Sequence, residues 1–294
     1  MSQKYGQHFL IDEDILAHIA ETVSQTAQKL WSDRMIEIWP WEGVLTSLII
    51  DEFDHVTLYE IDERMRAKLY PIISGHQDAS IVWWDVLDSS SLIREVASMT
   101  KSEDDGRFVE SSPVSSTLVV WNLPYYITSP ILRKFFEPKV ADTNPACSDD
   151  GTASSTHIYP WGVFLVQKEV AQKISTDAKK KSFLRWILNY RYDVEYIFTV
   201  PPTAFNPPPK VDSAVFTLIQ NPEKADRSIA TYIKMMNFLD AVSGLKRKTL
   251  GKIRKMRAEF LEWFVLPDDL KSKRLEELEW EDMWSILWEA WLVN

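Results

Sequence analysis

Between residues 35 and 86 short apolar runs alternate with amphipathic stretches, and no other feature of the chain restricts its fold as much. The runs lie at residues 35–38, 56–59 and 80–82, and the amphipathic stretches at 44–50 and 64–73. Strands alternating with helices at this spacing imply right-handed βαβ units and a parallel sheet. Further strands are expected at 117–120, 163–166, 194–199 and 214–219, with helices at 127–136 and 167–175. After Asn221 the strand signal stops, and residues 229–243, 245–264 and 276–292 have helical periodicity. The sequence therefore predicts a doubly wound α/β domain over residues 1–221 and a small all-helical domain over 222–294. Two segments rich in Ser, Thr, Asp and Gly, residues 99–116 and 141–156, read as surface insertions. The proline-dense stretch 200–209 is expected to be a rigid, extended loop without regular structure, because proline lacks the N–H donor and fixes φ.

Composition narrows the class. With 45% hydrophobic and 26% charged residues in 294, disordered and fibrous proteins are excluded. A single cysteine, Cys147, can form neither an internal disulfide nor a thiolate metal cluster, which fits a reducing, cytoplasmic setting. No run of about 18 apolar residues occurs and the N-terminus has no apolar signal region, so neither a membrane span nor a secretion signal is expected. The net charge of −10 runs against a nucleic-acid partner. Yet Lys246, Arg247, Lys248, Lys252, Arg254, Lys255 and Arg257 stand together with no acid among them, as a solvated helix face or as a phosphate-binding surface. Glycine is scarce: 8 are present, against roughly 20 at average usage, while tryptophan appears 13 times.

The chemistry concentrates at strand ends. The strand at 35–38 runs into Trp39-Pro40-Trp41-Glu42-Gly43 and then a helix. In an α/β sheet this is where nucleotide-like ligands bind, facing the backbone N–H groups of the turn. Position fits and composition does not, because such turns use glycine for positive φ and close approach, and indoles stand at two of the three expected glycine positions. Glu60 ends the second strand, 21 residues after Trp39. It is placed either to accept hydrogen bonds from ribose hydroxyls or to serve as a surface carboxylate. Asp85 and Asn122 end the third and fourth strands. In Asn122-Leu123-Pro124-Tyr125 the proline stiffens the turn, so the asparagine oxygen and a main-chain carbonyl can converge while Tyr125 offers a flat face. That arrangement suits an aromatic amine; it is equally a turn with a capping asparagine.

Several segments together resemble the small-subunit (16S) ribosomal RNA adenine N6,N6-dimethyltransferases over nearly the whole chain. They are Tyr5-Gly6-Gln7-His8-Phe9-Leu10, residues 119–125, Val166-Gln167-Lys168-Glu169-Val170-Ala171, residues 200–214, Lys246-Arg247-Lys248-Thr249-Leu250 and Arg274-Leu275-Glu276-Glu277-Leu278. Related large-subunit rRNA methyltransferases share the fold, but tend to have isoleucine where Leu123 stands and lack the proline loop. The resemblance implies a Rossmann-like methyltransferase sheet that moves methyl groups from S-adenosylmethionine to N6 of adenine, twice per base and on two neighbouring adenines. It implies that His8 and Leu10 close over the cofactor, the turn at Trp39 carries its methionine part, Glu60 holds the ribose and Asp85 reads the cofactor adenine. Asn122 would sit between cofactor and substrate, and the target base, flipped from its stack, would lie between Tyr125 and Phe205. Asn122 and the carbonyl of Leu123 or Pro124 would accept from N6, so catalysis rests on positioning and needs no metal. The expected partner is small-subunit rRNA or the pre-30S particle, bound by a monomer through the basic run.

The chain departs from that family at glycine positions. Tryptophan stands at Trp39 and Trp41, and also at Trp31, Trp84 and Trp121, where glycine is usual. Some bacterial lineages read UGA as glycine and others as tryptophan, so translation with the wrong table would print Trp where the cell inserts Gly. If instead the indoles are real, the chain is expected to be a cofactor-incompetent rRNA-binding or ribosome assembly factor on the same scaffold. A small-molecule N-methyltransferase is a third reading, one that has no need of the basic helices.

Overall fold

The apolar runs form strands within one or two residues of their expected limits. The computed structural model describes residues 8–83, 85–87, 116–122, 127–138, 159–176, 178, 182–225, 227–245, 247–261 and 264–289. Leu123, Pro124, Tyr125, Trp84 and Lys246 lie outside these residues, as do both expected insertions apart from Ser116. In chain order the strands are β1 (Phe9–Leu10), β2 (Arg34–Ile38), β3 (His55–Glu60), β4 (Ala79–Trp83), β5 (Thr117–Asn122), β6 (Trp161–Gln167), β7 (Tyr192–Val200), β8 (Phe205–Asn206) and β9 (Ser213–Gln220). Seven of them form one sheet in the order β4-β3-β2-β5-β6-β9-β7, and β1 and β8 form a separate two-stranded ribbon. From β4 to β6 all neighbours run parallel, whereas β9 is antiparallel to β6. The sheet is therefore mixed and not wholly parallel.

Chain contacts divide the molecule into two units. The first comprises residues 1–137, 157–172 and 194–220 and contains most of the sheet. Its core is filled by β-strand residues such as Met35, Leu58, Leu118 and Val163, covered by side chains from α1 (Glu13–Leu30) and α2 (Thr46–Ile49). Helix α1 starts at the N-cap Asp12, whose carboxylate accepts the Ile15 N–H, and buries Leu16, Ile19, Val23 and Ala27 at helical spacing. Two more helices of this unit are α3 (Arg66–Ile73) and α4 (Thr128–Phe136).

The second unit takes in residues 138–156, 173–193 and 221–294. Its last and longest segment begins at Asn221, one residue before the expected boundary, and two earlier segments join it. The reason is apolar burial: Trp186 and Tyr190 pack into one core with Tyr232, Phe238, Leu250, Ile253, Leu278 and Ile286. The guanidinium of Arg227 lies 5.1 Å and 4.9 Å from the ring centres of Trp280 and Trp284. The expected helix at 229–243 is present as Ile229–Ser243. The one expected at 245–264 is shorter and broken, into Leu250–Met256 and Ala258–Leu261. Arg257, at the break, has non-helical φ/ψ and its guanidinium donates to the Ala241 carbonyl. The last helix covers Trp280–Glu289.

Candidate functional site

The first four neighbours of the sheet, β4, β3, β2 and β5, are parallel, so their carboxyl ends lie along one edge. That order sets Asp85, Glu60, the turn after Ile38 and Asn122 side by side. Strand order reverses direction between β2 and β5, the point at which open α/β sheets take their ligands.

The turn has an uncommon backbone. Trp39 and Trp41 both have φ of 58° and Gly43 has φ of 78°, so three alternate residues are left-handed. For a residue with a β-carbon this conformation costs about 1–2 kcal/mol. The turn is closed by hydrogen bonds from Trp39 N–H to the Tyr59 carbonyl (2.8 Å), from Gly43 N–H to the Pro40 carbonyl (2.8 Å) and from Trp41 N–H to Glu60 Oε2 (3.3 Å). At Gly43 a β-carbon would meet the end of the Ile72 side chain, Cδ1, at 2.3 Å, which that side chain can relieve by moving, so it is the positive φ that favours glycine there.

Glu60 is 0% exposed and also accepts the Asp62 N–H through Oε1 at 2.8 Å. Burial pushes its pKa up from 4.5 to about 7, against the backbone donors, which lower it. A second carboxylate was not picked out by the sequence. Glu37, 3% exposed on β2, accepts from the Thr46 hydroxyl at 2.7 Å. Burial raises its pKa to about 7, and the charge of Glu60 adds to the rise. The signal available was a lone carboxylate inside the otherwise apolar run Met35–Ile38, which must find a donor when buried. Glu37 joins β2 to the first residue of α2, the two elements that bracket the turn.

Beside the turn lies a cavity of about 280 Å³ whose lining includes Leu10, Glu37, Trp39, Trp41 and Asn206. It is a little smaller than ordinary small-ligand pockets of about 300–1,000 Å³, and two indoles form part of its wall. Phe9 meets Trp41 edge-on with ring centres 5.3 Å apart. The β1–β8 ribbon crosses this region: Phe9 pairs with Asn206, Leu10 with Phe205, and Ile11 N–H donates to the Ala204 carbonyl at 2.9 Å. His8 Nδ1–H donates to the Pro207 carbonyl at 2.7 Å. The proline stretch expected to lack regular structure thus contains a 3-10 turn, Pro202–Ala204, and the strand β8.

Phe205, paired with Leu10, is 4% exposed and packs in the core of the first unit. Asp85 is exposed, and Oδ1 accepts the Leu87 N–H at 2.9 Å. Asn122 closes β5 opposite Leu165. The motif around Lys168 and that around Asp212 are joined twice, by their side chains (3.0 Å) and from Lys168 N–H to the Asp212 carbonyl (3.0 Å). In the second unit, the helix Leu250–Met256 buries Leu250 and Ile253 and exposes Lys252 and Lys255, with Arg247 and Lys248 exposed just before it. Among the described residues there is no cluster of three or more metal-ligating side chains, and no helix is long and apolar enough to cross a membrane.

Known proteins share this architecture. Two solved structures align over 96% of this chain: the 23S rRNA methyltransferase ErmE (TM-score 0.63, 22% identity, 98% of its chain) and a dimethyladenosine transferase from Plasmodium falciparum (TM-score 0.67, 23% identity, 97% of its chain). At such identity they establish the fold, a Rossmann-like methyltransferase sheet. Among curated sequences, ribosomal RNA small subunit methyltransferase A of Synechocystis sp. is 29% identical over 97% of this chain and 95% of its own. The protein of that name from Onion yellows phytoplasma is 31% identical over 88% of this chain and 82% of its own. The family model for ribosomal RNA adenine dimethylase matches residues 1–289. From the edge of the sheet to the helical second unit, the chain belongs to the ribosomal RNA adenine dimethylase family.

Proposed function

We propose that this chain transfers methyl groups from S-adenosylmethionine to N6 of adenines in small-subunit rRNA. The observation that carries this reading is the turn after β2, whose left-handed residues fold its backbone onto Glu60 beside a cavity at the switch point of the sheet. The cofactor, when bound, supplies an electrophilic methyl group on a sulfonium. The buried Glu60 carboxylate accepts from ribose hydroxyls, as its existing role as acceptor for two backbone N–H groups fits. Glu37 fixes the turn by tying β2 to α2, Leu10 belongs to the ribbon that borders the cavity, and His8, just before that ribbon, is bonded to the Pro207 carbonyl. Asp85 reads the cofactor adenine from the end of β4. Asn122, at the end of β5, orients the exocyclic amine of the target base together with the carbonyl of Leu123 or Pro124, and Tyr125 stacks on it. The exposed lysines beside and on the helix Leu250–Met256 take rRNA phosphates.

The decisive experiment supplies labelled S-adenosylmethionine and unmethylated small ribosomal subunits to the chain and to Asn122→Ala. Dimethyladenosine formed by the first and reduced at least a hundredfold in the second is the expected result; no label in rRNA with the chain and none with its Trp39→Gly/Trp41→Gly variant refutes the reading. A second reading is favoured by the two indoles in the cavity wall: an rRNA-binding assembly factor that does not bind the cofactor. Calorimetric titration with S-adenosylmethionine separates the two, since heat of binding at a one-to-one ratio excludes the second.

A further inference from the structure

Among the described residues three that are not glycine have positive φ, and all three are tryptophan: Trp31 at 54°, Trp39 at 58° and Trp41 at 58°. Tryptophan supplies only 13 of the 294 residues, and a bulky side chain is among the least suited to this region of backbone space. Asn and Asp, the residues that ordinarily accept it, supply none of the three. Composition does not produce this coincidence. We infer that positions 31, 39 and 41 are glycine in the cell, encoded by UGA codons that the host reads as glycine, and that the turn after β2 is a glycine-proline-glycine cofactor turn.

Each position argues the point separately. Trp31 follows α1 as its left-handed C-terminal residue, with its own N–H directed to the Ala27 and Gln28 carbonyls and the Ser32 N–H to the Ala27 carbonyl at 2.9 Å. That double bond pattern is the helix ending that glycine makes. The side chain of Trp31 is 88% exposed, so no packing explains an indole there. Trp39 and Trp41 alternate with Gly43 in a single turn, and the one glycine of the three shares their conformation. Their rings stand in the wall of the cavity, where backbone close to the ligand is what a cofactor turn provides.

Other tryptophans are genuine. Trp186, Trp280 and Trp284 sit on helices, where glycine is unfavourable. Their rings pack on one another, at 4.8 Å between Trp186 and Trp280 and 5.7 Å between Trp280 and Trp284. Trp121 carries no backbone mark of glycine: it lies within β5, 2% exposed and edge-on to Phe164 at 5.3 Å.

The test reads the codons in the source DNA. UGA at 31, 39 and 41, UGG at 186, 280 and 284, and a glycine-accepting tRNA with a UCA anticodon in the same genome are expected; UGG at any of the first three overturns the inference. A biophysical arm uses the chain as written. Trp31→Gly is expected to raise Tm by about 2–4 °C, because it removes only strain and an exposed ring, and an unchanged or lower Tm counts against the inference. Trp39→Gly/Trp41→Gly is expected to bind S-adenosylmethionine at least tenfold more tightly than the tryptophan chain. Equal affinity would overturn the assignment of these two positions without touching the methyltransferase reading.

Discussion

Glu37 and Glu60 occupy adjacent strands, and burial gives both a pKa of about 7. For Glu37, a rise from 4.5 to about 7 corresponds to about 3 kcal/mol of preference for the protonated form. The folded chain holds protons that the unfolded chain has released, so stability is greatest below about pH 4.5 for these two groups and declines as pH rises through about 7. Thermal melts are expected to show a lower Tm at about pH 8 than at about pH 6, with a smaller difference in Glu37→Gln, whose amide oxygen still accepts from Thr46. Ligand binding has the opposite sign. Ribose hydroxyls donating to Glu60 favour the carboxylate, so cofactor affinity is expected to rise across the same range with release of a proton. Calorimetry in buffers of different ionisation heat measures that proton, and an affinity independent of pH would remove Glu60 from the ribose. Glu60 was legible in the sequence through its distance from Trp39. Glu37 was not, because an apolar run hides the donor, Thr46, nine residues away. The distinct states of Trp31 and Trp121 were equally invisible, since φ is not written in residue identity.

At the level of elements, the β1–β8 ribbon joins the N-terminal motif to the proline stretch, which the sequence presents as unrelated segments almost two hundred residues apart. Two-residue strands give no period to read, so neither the pairing of Phe205 with Leu10 nor its burial was legible in sequence. The longer strands were located because alternation and apolar runs survive in sequence, but their direction was not, so antiparallel β9 appears only in the fold. Helix α1 was passed over although Leu16, Ile19, Val23 and Ala27 carry its period. His8→Ala removes one hydrogen bond of the ribbon, worth about 1 kcal/mol, and affects both partners of that bond. The expected outcome is a weakening of about fivefold in cofactor affinity accompanied by a rise in KM for rRNA. A change in the first without the second would show that the ribbon transmits nothing to the proline stretch.

For the molecule as a whole, the net charge of −10 conceals a strongly uneven distribution. Lys248, Lys252 and Lys255 are exposed in a unit with its own core, which makes removal of charge separable from folding. Replacing all three with alanine is expected to weaken rRNA binding and to flatten the dependence of log K on log salt by about 2, while cofactor affinity stays as it was. A salt slope equal to that of the parent would assign the lysines to solubility. The ribbon has a bearing on the order of events in turnover. Leu10 from one strand and Asn206 from the other line the same cavity, so a cofactor in it would lie against both strands of the ribbon. Reloading between the first and second methyl groups would then work against the ribbon, a delay in which monomethylated adenine is expected to accumulate early and disappear late.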